Sequence, residues 1–152
     1  MSANKQMDFN ESKKQSKMKK HLISVTSALA ICIICFAFTT AQQTKPWPVP
    51  DKNVKMANSV KADAESISAG KALWNMHCSS CHGKKGLGDG SKAAQLKTQP
   101  QDMTLASFQS QSDGSIFYKT SEGRDDMPSF KKKMPDPDDI WSLVNYIRTL
   151  KK

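Results

Sequence analysis

The run Cys78-Ser79-Ser80-Cys81-His82 limits what this chain can fold into more than any other feature. Two thiols three positions apart near a helix end can each add to one vinyl group of the same porphyrin, and the adjacent histidine then comes to lie beneath the iron. Thioether bonds keep such a cofactor attached even when its axial bonds are weak or change on redox. Two other chemistries use the same pair of cysteines. A zinc site needs two further ligands with their own spacing, and His77 and His82, each next to a cysteine, are poorly placed to serve. A thioredoxin-like pair needs a strand–helix–strand context, and no strand pattern is present. Covalent haem attachment is the reading that remains.

The other two of the four cysteines, Cys32 and Cys35, lie in a different setting. Residues 1–21 hold six lysines against Asp8 and Glu11, and Leu22–Phe38 then runs without a charge to a small-residue exit at Thr39-Thr40-Ala41. A basic segment, an apolar segment and a small-residue exit make up an export signal, with cleavage expected after Ala41. An uncleaved N-terminal membrane anchor is the alternative, since the uncharged run is marginal for spanning about 30 Å of hydrocarbon. Met18-Lys19-Lys20-His21 looks like a signal opening by itself, which makes Met18 a second candidate start. Ile31 and Ile34 precede the two cysteines where a lipid-attachment site needs a small residue, so both read as apolar filler.

Residues 1–41 thus form the signal or anchor, residues 42–65 a proline-rich tether and residues 66–152 the folded domain. Pro46, Pro48 and Pro50 favour an extended tether, with Trp47 a candidate to lie on the domain surface. Of the +9 formal charge, +4 belongs to the leader, leaving the remainder at +5. That residual charge is scattered and no reading helix is evident, so nucleic acid binding has no support.

Helical periodicity starts at Ser66, read as an N-cap, and continues through Ile67, Gly70, Leu73, Trp74 and His77 into the motif. Residues 83–112 read as loop with a short helical turn near 92–96. Asp113 is a candidate cap for a helix through Ile116, Phe117 and Tyr118 that ends at Gly123. Asp136 caps the clearest helix, with Pro137 at its first position and Ile140, Leu143, Val144, Ile147 and Leu150 along one face. The fold class is all-α, three to four helices with long loops, and with so few aliphatic residues between the helices a cofactor is needed to fill the core.

His82 is the expected proximal iron ligand, its other ring nitrogen needing an acceptor, for which a backbone carbonyl in the loop after Gly90 is the candidate. The distal side has five methionine candidates. Met56 is in the tether, Met76 too close to the motif, and Met103 in a polar loop. Met127 and Met134 both precede a proline, which stiffens a loop. Met127 follows turn-forming residues and is the preferred ligand. Met134 abuts the Asp136 cap, where an apolar core role is commoner, and is the alternative.

These residues resemble the class I, mono-haem c-type cytochrome family over about Ser66–Lys151. Beyond the motif, the resemblance rests on Gly70-Lys71-Ala72-Leu73-Trp74, on Gly83 with Gly86-x-Gly88-Asp89-Gly90, and on Asp113-Gly114-x-Ile116-Phe117-Tyr118. Gly123–Phe130 and Asp139–Arg148 complete it. Ser91 departs from the pattern, since many relatives have proline there. The resemblance implies a cytochrome c-like fold around one covalently bound haem c, with Cys78 and Cys81 as thioether anchors and His82 and Met127 on the iron. It also implies that Gly70 and Trp74 cross the last helix near Leu143 and Tyr146.

A saturated His/Met iron implies a one-electron carrier in an extracytoplasmic respiratory chain and not an enzyme. Leu87, Leu96, Phe108, Ile116, Phe117, Phe130 and Trp141 are the expected apolar lining. Redox proteins with acidic docking surfaces are the expected partners, met by Lys84, Lys85 and Lys131-Lys132-Lys133. Membrane association would run through residues 22–41, and the location is periplasmic or membrane-anchored facing the periplasm. A labile distal methionine would instead give a gas sensor or a peroxidase-like enzyme. The apoprotein is expected to be largely unfolded.

Overall fold

The computed structural model describes residues 46–152. The expected export or anchor segment, the second start at Met18, and Cys32 and Cys35 lie outside the described residues. Within them the order is α1 (Asp51–Val54), α2 (Ala64–His77), α3 (Ser79–His82), a 3₁₀ turn (Ala93–Gln95), α4 (Ala106–Gln109), α5 (Asp113–Glu122) and α6 (Pro137–Arg148). No strand forms among the described residues, and the one β-bridge pairs Arg124 with Met127. The all-α expectation is met by three helices of ten or more residues joined by loops.

α6 is built as its sequence dictates. The Asp136 carboxylate accepts from the Asp138 N–H, Pro137 occupies the first turn, and Ile140–Ile147 are all buried. At its other end Arg148 pairs with Asp113 and donates to the Gln109 and Gln111 carbonyls, which fixes the entry to α5. α2 lies across α6, and Gly70 sets their separation. A Cβ there would come within 2.1 Å of the Ser142 carbonyl oxygen and 2.9 Å of Tyr146 Cβ. Trp74, one turn on, is buried with its ring 5.8 Å from that of Tyr146. Trp74, Met134, Leu143 and Val144 are the largest side chains with no meaningful exposure. Burying a leucine or valine side chain of this kind is worth about 1.5–3 kcal/mol.

Two helix starts differ from the sequence reading. Asp63, not Ser66, caps α2: its carboxylate accepts from the Ser66 N–H while Ser66 Oγ accepts from the Asp63 N–H. Ser66 is the reciprocal half of a capping box, so both residues carry cap chemistry. Likewise Ser112 caps α5 by accepting from the Ser115 N–H, and Asp113 is its first helical residue.

The larger correction concerns residues 46–65, the described part of the stretch 42–65 read as an extended tether. The compact unit begins at Trp47, and residues 51–54 form α1, packed against α5. Asn58 donates to Asn145 Oδ1 and to the Trp141 carbonyl, and Asn145 Nδ2 donates to the Val60 and Lys61 carbonyls. One side-chain amide from α6, that of Asn145, thus satisfies backbone that the proline-rich composition suggested would be left to water.

Gly70→Ala should destabilise the fold by about 1–3 kcal/mol through overpacking, read as a lowered denaturation midpoint. The Asp63 carboxyl sits below its usual range, chiefly because the Ser66 N–H favours its charged form. Cap stability is therefore complete above the unfolded carboxylate pKa and fades as pH falls through the lowered folded value. Asp63→Asn, which caps without charge, should flatten the acid limb of a melting-temperature profile.

Candidate haem-attachment site

α2 runs to His77, Cys78 continues the helical bonding through its N–H to the Trp74 carbonyl, and α3 then carries Cys81 and His82. Gly83, at a left-handed φ of 79°, turns the chain away directly after His82. A helix that stops so abruptly leaves its last carbonyls without partners. The following loop supplies them. Gly88 N–H donates to the His82 carbonyl at 2.9 Å, Gly90 N–H to that of Cys81 at 3.1 Å, and Lys92 N–H to that of Ser80 at 2.8 Å. The Trp74 indole N–H donates to the Gly83 carbonyl at 3.1 Å, and its ring centroid lies 5.8 Å from that of His82. The turn that carries the histidine is therefore held from both sides without any bond to the imidazole.

The imidazole itself is poised for a metal. His82 Nδ1 is buried with no hydrogen-bond partner, yet the residue as a whole is only half-buried. Burial pushes its pKa down to about 4, so at neutral pH the ring is uncharged and carries a lone pair. The loop after Gly90 does not supply the expected carbonyl to this nitrogen. Its groups are spent on backbone partners instead, Gly90 O accepting from Ala93 N–H.

Cys78 and Cys81 are unpaired thiols, Cys78 buried and Cys81 half-buried. Burial, and then the neighbouring Cys81, push the Cys78 thiol up to about 12. A thiol-exchange site needs the reverse, a lowered pKa and an exposed thiolate. Among the described residues no group of three or more His, Cys, Asp or Glu side chains is arranged to hold a metal ion between them, which gives the zinc reading no support there. Two unpaired thiols and a neutral imidazole, all on one turn, fit covalently attached haem.

The methionines separate by burial. Met76 is 73% exposed, and Met56 is also exposed. Met103 and Met134 belong to the core, Met134 at 1% exposure and Met103 beside Gly86, to whose carbonyl its N–H donates. Sequence reasoning missed the burial of Met103 because its neighbours are polar. Met127 alone is half-buried against the core and sits on a loop, closed by reciprocal backbone bonds with Arg124 at 2.8 and 2.9 Å. The Asp126 carboxylate beside it accepts the Lys97 and Thr98 N–H groups, tying this loop to the polar one. Of the expected lining, Phe108, Ile116, Phe130 and Trp141 are buried, while Leu87, Leu96 and Phe117 stay half-buried, Phe117 stacked on Trp141 at 4.2 Å.

A strandless helical fold built round this turn defines a c-type cytochrome domain. Residues 65–147 match the family model described as cytochrome c oxidase, cbb3-type, subunit III, and the chain belongs to that family of c-type cytochrome domains, which implies one covalently bound haem c. The chain is also similar to a Kuenenia stuttgartiensis reducing HAO-like protein complex, Kustc0457/Kustc0458, at 27% identity and a TM-score of 0.58. That match covers 72% of this chain and 53% of the other, so the chain spans about half the length of its neighbour. The KustC0563 c-type cytochrome is 30% identical over 55% of this chain and 98% of its own, with a TM-score of 0.49. No curated protein matches.

Trp74→Phe keeps an aromatic ring and deletes the indole donor, leaving the Gly83 carbonyl with only the longer bond from the Gly86 N–H. A loss of about 0.5–1.5 kcal/mol in chemical denaturation of the holoprotein is expected.

Proposed function

We propose that this cytochrome c domain is a one-electron carrier outside the cytoplasm, with Cys78 and Cys81 as thioether anchors, His82 as proximal ligand and Met127 as distal ligand. The observation that carries the reading is the His82 turn, where a neutral imidazole and two unpaired thiols share one rigid stretch of backbone. Bound haem supplies a single Fe(III)/Fe(II) couple that exchanges one electron at a time.

The chain's own residues set the terms of that exchange. Trp74 and the 83–92 loop hold the backbone that carries His82, so little rearrangement accompanies a change of charge. Met127 offers a neutral thioether, which favours the reduced state over a second nitrogen ligand. A distal ligand must present its sulfur to a surface that protein atoms leave uncovered. That condition favours half-buried Met127 over Met134, which the core encloses. The aromatic residues Phe108, Phe117, Phe130 and Trp141 exclude water from the apolar side.

Lys84, Lys85 and Lys131–Lys133 are all exposed, and Lys131 pairs with Glu122 at 2.6 Å while the Lys133 ammonium lies 5.4 Å from the centre of the Phe130 ring. This basic set is suited to steer an acidic redox protein, a role in keeping with the complex to which the Kuenenia neighbour belongs. Export rests on the leader sequence, as does any membrane attachment through residues 22–41. No helix among the described residues is long and apolar enough to cross a membrane.

Absorption spectra of the purified holoprotein test the assignment. Wild type should show a Soret band, six-coordinate low-spin iron and a weak far-red ferric band from sulfur ligation, with haem retained after denaturation. Met127→Ala should lose the far-red band and lower the reduction potential. Met134→Ala should keep the band and lose about 2–5 kcal/mol of stability. High-spin five-coordinate iron in the wild type would instead favour a sensor or peroxidase-like role.

A further inference from the structure

Trp47 lies outside both the haem-attachment motif and the helices that cross, yet it is half-buried and its ring is covered by two cations. The Arg124 guanidinium sits 4.5 Å from the ring centroid and the Lys119 ammonium 5.8 Å. Such contacts are attractive, and more so when partly shielded from water. Burial, and secondarily the charge of Arg124, lower the Lys119 pKa.

Arg124 is also the residue that closes the Met127 loop. Its N–H donates to the Met127 carbonyl and its carbonyl accepts the Met127 N–H, so both of its backbone groups are paired with the proposed ligand residue. Asp125, between them, holds a left-handed φ of 52°, the only non-glycine residue to do so among those described. A turn under that constraint gains from an outside hold on one of its ends.

The arm that carries Trp47 is itself fixed. It runs along α5 from the Arg124 end to the N-terminal end, where a Cβ on Gly114 would lie 2.0 Å from the Asn53 carbonyl oxygen. Only a glycine lets the arm sit so close. Beyond α1, Asn58 is bound to Asn145 on α6 at 2.7 Å. Trp47 thus lies at one end of a strap that is anchored at two further points on the domain.

We propose that Trp47 is a positioning residue for the distal ligand: it holds Arg124, and through it the Arg124–Met127 turn, so that the Met127 sulfur stays where a haem iron would meet it. The proposal rests on Met127 being the distal ligand. Residues 46–65 then contribute to the redox site as well as linking the domain to its leader.

Imidazole, added to the full-length ferric holoprotein, competes for the iron whenever the methionine dissociates. Trp47→Ala should raise its apparent affinity about two- to fivefold, the equilibrium equivalent of one exposed cation–π contact, and weaken the far-red ferric band. Trp47→Phe, which keeps a ring face, should restore most of the wild-type behaviour. Arg124→Gln should reproduce the alanine effect if Trp47→Ala does not fold. Amide exchange gives a reading independent of the iron: the Met127 N–H should exchange faster in Trp47→Ala, with the α6 core amides unchanged. Wild-type imidazole affinity and Met127 exchange in Trp47→Ala would overturn the positioning role while leaving the ligand assignment intact. A far-red band that survives Met127→Ala would overturn the ligand assignment itself, and the positioning role with it.

Discussion

The crossing of α2 over α6 at Gly70 is the constraint on which the rest of the domain depends. The missing side chain lets the Ser142 carbonyl and Tyr146 Cβ come into contact with the α2 backbone. Trp74 then falls against Tyr146 on one side and the His82 turn on the other. A wider crossing would pull the indole off the Gly83 carbonyl, and the backbone beneath the histidine would lose a support. One absent methyl group at the interface thus sets the position of the haem-attachment turn about a dozen residues further along the chain.

From that crossing outward, the site is held by backbone more than by side chains. Residues 88, 90 and 92 return their N–H groups to the carbonyls of 82, 81 and 80, closing the end of α3 on itself. The Met127 loop is closed in the same manner by Arg124, with Asp126 clasping residues 97 and 98. Both proposed iron ligands therefore project from turns that are complete without their side chains. That arrangement suits a redox centre in which geometry should change little between two charge states.

Much of this was legible in the sequence, for reasons that are local. The attachment motif is five contiguous residues, Asp136-Pro137 is a start signal read within one turn, and the apolar stripe of α6 repeats at helical spacing. The Gly70 contact was also expected, from the resemblance, which implied that Gly70 and Trp74 cross the last helix near Leu143 and Tyr146. What was missed depends on residues far apart in the chain. Asn58 and Asn145 are 87 positions apart, and although Trp47 is a candidate to lie on the domain surface, nothing near it names the residues it meets. The cap of α2 was displaced because Asp63 and Ser66 share it. The expected acceptor for His82 Nδ1 was not found, since the loop's carbonyl and N–H groups satisfy backbone first.

Asn145 gives the arm something that proline content alone could not. Its two amide protons are shared among Val60 O, Lys61 O and Ser66 Oγ and its oxygen accepts from Asn58, so both ends of the amide are engaged by the arm and the start of α2. A slip of the arm by one residue would break several of these bonds together inside the fold, where water is scarce to replace them. The stretch from Asn58 to Ser66 consequently behaves as a ruler: its residue count is fixed by an asparagine on another helix, and insertions can be absorbed only upstream of it.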